Sequence, residues 1–126
     1  MTALKFAVSL VALLIGGWFV YDGARAFQKG DYTTPSSGSH AGQLGPWAKL
    51  VALVGIDPRG VPMKSTHIVL GVFWLIAALL FVAKPHFGWL ALVVSSVCSL
   101  WYLPIGTVFA VLELGLLFTS QIRNLK

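Results

Sequence analysis

Glu113 is the only glutamate in the chain, and it stands inside the apolar run Ile105–Thr119, IGTVFAVLELGLLFT. No other Asp, Glu, Lys or Arg occurs between Lys84 and Arg123. A carboxyl deep in such a run costs on the order of 3 kcal/mol in a bilayer. Burying it as an unpaired anion costs more still, so a neutral, hydrogen-bonded acid is expected. Two kinds of chemistry fit: tying helices together, or binding a proton or cation during transport. On a helix, the face of Glu113 carries Gly106, Ala110, Leu117 and Ser120, and small residues there mark close helix contact. Glu113 lies nine residues beyond Pro104, about 13 Å along a helix and so near the midplane. The same count back along the preceding apolar run reaches Ser95. Ser95 and Ser96 should therefore sit level with Glu113, one hydroxyl bonded to its carboxyl, in a membrane-embedded polar network. Ala91, Ser95 and Ser99 recur at spacing four and form a stripe expected to face the helix of Glu113.

His67 is the second candidate. With Trp101 and Tyr102 it makes an interfacial site on one side of the membrane, and its helix face carries Gly71, Trp74 and Ala78. His40 falls in a polar loop and His86 in the opposite turn. No paired His or Cys spacing occurs, so neither a metal nor another cofactor is expected. Asp22, Asp31 and Asp57 gather near the loop side with His40, but their spacing specifies no hydrolytic site. There is no G-x-S-x-G and no glycine-rich phosphate loop. The expected protein is not an enzyme.

The elements that must position these residues are apolar helices. Of 126 residues, 57% are hydrophobic and 10% charged, far from the balance of a soluble domain. The net charge of +5 comes from scattered Lys and Arg, which suits lipid headgroups and not nucleic acid. Cys98, the single cysteine, has no partner for an internal disulfide.

Hydropathy and helix stops predict spans over about 4–21, 65–83, 87–103 and 105–122. A long polar loop, 22–63, carries a short interfacial helix over 46–56, begun by Pro46 and stopped at Asp57-Pro58. The fold class read from this is all-α: an integral membrane four-helix bundle in a single domain, 1–126. The first run reads as an uncleaved span. Ala24-Arg25-Ala26 offers a signal-peptide cleavage site, but Trp18, Phe19 and Tyr21 put bulky rings where small residues are wanted. The turn WYLPIGT separates the last two spans, with Trp and Tyr marking a membrane surface. Lys and Arg divide four to five between the two sides. The uncharged Tyr102–Ile105 turn and the polar loop then favour cytoplasmic termini in a cell (inner) membrane.

The plan of four short helices with one carboxylate is similar to that of small multidrug resistance transporters. In that family the glutamate is in the first helix and the loops are short. Here the glutamate is in the last helix, after a long loop, and the chain is not assigned to that family. With no catalytic constellation, the expected role is a non-catalytic accessory or structural subunit. It would contact the lipid bilayer and other membrane subunits, or further copies of itself. The alternative is a proton- or cation-coupled small transporter or channel using Glu113.

Overall fold

The computed structural model describes residues 2–39, 41–119 and 122, and is all-helical, with five helices and no strand among them. They are α1 (Ala3–Lys29), α2 (Pro46–Leu53), α3 (Val61–Ala83), α4 (Pro85–Val97) and α5 (Ile105–Leu117). His40, Ser120, Arg123 and Lys126 lie outside the described residues.

The first helix does not stop at residue 21. Thr2 caps it, its Oγ1 accepting from the Lys5 N–H at 3.2 Å, and it runs on through Asp22–Lys29 to Gly30 at φ 86°. Ala24, Arg25, Ala26, Gln28 and Lys29 are good helix formers, and Lys29 in the last turn suits the helix dipole. The helix measures about 40 Å, longer than a bilayer core of about 30 Å. Helix α2 ends three residues earlier than expected. Gly55, at φ 86°, lets the Gly55 N–H reach Ala52 O and the Ile56 N–H reach Val51 O at 3.0 Å, closing the helix end. Helix α3 begins four residues before the expected start, with Gly60 ahead of it and Pro in its first turn.

Two helices, α1 and α3, are long and apolar enough to cross a membrane. The other two are shorter than expected. Helices α4 and α5 have 13 residues each, about 20 Å. Residues 98–104 are wound into a turn by bonds such as Ser99 N–H to Ser96 O and Tyr102 N–H to Ser99 O, both 3.1 Å. Helix α4 thus stops at Val97, six residues before the expected end at 103, and α5 starts directly after Pro104.

Helix α1 packs along α3, α3 against α4, α4 against α5, and α5 back onto α1. Between α1 and α3, Gly71 and Gly23 set the approach. A Cβ on Gly71 would lie 2.7 Å from Gly16 O and from Val20 N. One on Gly23 would lie 2.7 Å from the Ile68 side chain and 3.0 Å from the His67 Cβ. The helices therefore meet backbone to backbone. The enclosed face of α1 carries Val8, Ala12, Ile15 and Phe19, and that of α3 carries Trp74, Ala78 and Phe81. The interior is mostly apolar, and the outer surface is apolar too. Asp22, His67, Ser95, Ser96, Ser99 and Glu113 are all buried, whereas Leu14, Val69, Leu79, Val97 and Val108 are exposed.

Adjacent glycines in α1 test this seam. Gly16→Ala, whose Cβ would meet the Trp74 Cβ at 2.8 Å, should lower stability by about 1–3 kcal/mol. Gly17→Ala, with nothing within 4 Å of its Cβ, should leave stability unchanged or raise it by about 0.5–1 kcal/mol. Unfolding titrations in detergent check the opposite signs.

Candidate functional site

The structure gathers an aromatic cluster around His67 at one end of the helices. After Gly30 reverses the chain, Arg25 pulls it back: its Nη1 donates to Asp31 O at 2.8 Å and Tyr32 O at 2.7 Å. The Thr33 N–H donates to Asp22 Oδ1 at 2.7 Å. Tyr32, held between these bonds, lies against the His67 ring with centroids 4.7 Å apart. Helix α2 brings Trp47 to 5.0 Å, α1 brings Phe19 to 5.5 Å, and the turn brings Tyr102 to 5.3 Å and Trp101 to 5.8 Å. The Trp47 N–H donates to Leu103 O at 3.3 Å, joining α2 to that turn. Trp18 Nε1–H donates to the Tyr102 hydroxyl at 2.8 Å.

His67 is fully buried. Its Nδ1 lies 2.9 Å from Met63 O. A carbonyl only accepts, so Nδ1 carries the hydrogen in this bond. Nε2 has no partner and, in the neutral ring, presents a bare lone pair. The nearby Tyr32 hydroxyl is likewise buried and without a partner. Burial, then the charge of Asp22, pushes the Tyr32 hydroxyl above its ordinary range. The cluster can thus hold a proton acceptor and a neutral phenol in an enclosed aromatic setting.

His67, Trp101 and Tyr102, the expected interfacial group, lie together here, though His67 is enclosed and not at an open surface. Asp22, Tyr32, Phe19, Trp18 and Trp47 belong to the same cluster and were not singled out for such a site from sequence. Their signal was partly present: Ile15, Phe19, Asp22 and Ala26 form one buried helical stripe once α1 is extended to Lys29.

The expected bond from Ser95 or Ser96 to Glu113 is not made. Ser95 Oγ donates to Ala91 O and Ser96 Oγ to Leu92 O, each at 2.8 Å. A serine inside a helix finds the carbonyl four residues back within reach, and here that local bond takes both hydroxyls. The stripe also differs from expectation at Ser99, which accepts from Trp74 Nε1–H of α3 at 2.9 Å. Glu113 lies on the buried face with Gly106, Ala110 and Leu117. Both its carboxyl oxygens are enclosed and have no hydrogen-bond partner among the described residues. The other carboxylates are separately engaged. Asp31 pairs with Arg59 at 3.0 Å, and Asp57 Oδ1 accepts the Arg59 N–H at 3.0 Å within its turn. Among the described residues, no three of His, Cys, Asp and Glu are grouped to hold a metal ion.

The enclosure of Tyr32 has a measurable consequence. Its hydroxyl binds its proton more tightly in the folded chain than at the unfolded value of 10.0. Folding stability is therefore unaffected by this group below pH 10 and falls as pH rises above it. Tyr32→Phe should flatten that alkaline loss by up to about 1.4 kcal/mol per pH unit, read from unfolding midpoints on either side of pH 10. No family model, no curated protein and no solved structure matches this chain.

Proposed function

We propose that the chain is an integral membrane protein crossing the cell (inner) membrane four times, and that it acts as a non-catalytic accessory or structural subunit. The observation that carries this reading is the outer surface: large aliphatic side chains are exposed along α1, α3, α4 and α5, while Asp22, His67 and Glu113 are buried. Water would strip such a surface into aggregates, whereas lipid tails solvate it. Helices α1 and α3 have the length to cross. In this reading the shorter α4 and α5 complete their crossings through the residues of the turn. Non-helical backbone is tolerated at membrane depth where it is enclosed by protein.

The chemistry of the buried groups favours a scaffold. Serines bond to their own helices, and Asp31 and Asp57 are engaged by Arg59. The surface left over is apolar. It includes a groove of about 400 Å³ between α3 and α4, lined by Val69, Leu70, Phe73 and Val94, which suits lipid chains or a partner helix. One observation favours the second reading, a proton- or cation-coupled transporter: the two partnerless oxygens of Glu113.

Purification from native membranes in mild detergent separates the two. The accessory role predicts a distinct membrane protein in stoichiometric amount, and isolation of this chain alone would count against it. Glu113→Gln removes titration and keeps a similar shape. On the leading reading that variant assembles as the parent does. A proton-driven flux lost with Glu113→Gln, by contrast, would favour the transporter.

A further inference from the structure

A small cavity beside the His67 cluster has a chemistry of its own. It measures about 90 Å³ and is walled by Trp18, Asp22, Tyr32, Trp47 and Tyr102. Its rim includes Pro104 and Ile105, both exposed. A single water needs about 10–15 Å³ of such volume, so the space holds several waters or one organic group of a few heavy atoms.

Asp22 is 2% exposed, and a buried carboxylate is normally paired or bound to a cation. Among the described residues, no Lys or Arg makes an ion pair with it. Arg59 pairs with Asp31, and Arg25 directs Nη1 to two backbone carbonyls. The Thr33 N–H bonds Oδ1 and the Tyr102 hydroxyl bonds the Asp22 carboxylate, but neither donor carries a positive charge. Tyr32, only 1% exposed, forms part of the wall of the same cavity. Aromatic rings around one buried anion attract a diffuse positive charge. A hard metal ion would want more oxygen ligands than these rings supply.

We infer that this cavity binds a small alkylammonium cation. Asp22 supplies the counter-charge, and the rings of Trp18, Tyr32, Trp47 and Tyr102 wall the cationic head. The ammonium group is that of a free compound or of a lipid headgroup entering from the Ile105 rim.

The test uses the full chain in nanodiscs of phosphatidylglycerol, titrated with tetramethylammonium and with choline. Indole N–H resonances of Trp18 and Trp47 should shift saturably, while that of Trp89 stays in place. The neutral carbon isostere of choline should produce no shift. Asp22→Asn, which keeps an oxygen for the Thr33 N–H, should weaken binding at least about tenfold. An equal response to choline and its neutral isostere in the parent chain overturns the proposal without any variant. Unchanged affinity in a folded Asp22→Asn chain also overturns it. Repeating the titration in phosphatidylcholine discs identifies the source. Loss of free-choline binding there assigns the site to the lipid headgroup, and its retention assigns it to a free ammonium compound.

Discussion

The direct backbone contact between α1 and α3 is the constraint on which the rest of the structure depends. Gly16 and Gly71 let the two longest helices touch where any side chain would hold them apart. One and two turns farther along α1, Phe19 and Gly23 then lie against His67. Asp22, between them, is carried to the rim of the same cluster. The loop after Gly30 has no regular structure of its own to hold it. It is fixed by Arg25 and Asp22, which the seam has already placed. Widening the seam would displace the floor of the cluster and the anchors of its lid together.

The energetics of the cluster favour burial despite its loose ends. An unpartnered buried acceptor such as His67 Nε2 costs about 1–3 kcal/mol. Against this stand five aromatic neighbours at centroid distances of 4.7–5.8 Å, each pair contributing about 0.5–1.5 kcal/mol beyond its area. The balance favours keeping the imidazole enclosed. Glu113 differs, because the serines expected to satisfy its carboxyl bond to their own helix carbonyls instead. Its enclosure within a single chain also removes it as a docking contact. A partner would meet the aliphatic outer surface, not this carboxyl.

Much of the architecture was legible in the sequence, and the failures have physical causes. The start of α2 at Pro46 and the stop at Lys84-Pro85 follow from proline's fixed φ and missing N–H, which act locally. The true end of α1 was missed because hydropathy falls at Asp22, while helix propensity, low at Asp22-Gly23, recovers over Ala24–Lys29 and falls again only at Gly30. That one misreading hid Asp22 from the buried face and, with it, the tie to Thr33. The grouping of His67 with Trp101 and Tyr102 could be anticipated from shared membrane depth. The addition of Tyr32 and Trp47 could not, because it depends on how a loop without periodicity folds back. Depth also misled: it placed Ser95 and Ser96 level with Glu113 but carried no information about which acceptor their hydroxyls would choose.

The seam and the folded-back loop enclose His67 under Tyr32 and Tyr102. Solid-state NMR of the chain in lipid bilayers, with histidine and tyrosine rings selectively labelled, measures this directly. Short-range ring–ring contacts are expected from His67 to Tyr32 and to Tyr102, at centroid separations of 4.7 and 5.3 Å, and none to Tyr21. A His67 ring with no contact to Tyr32, or one in direct contact with bulk water, would contradict this enclosure.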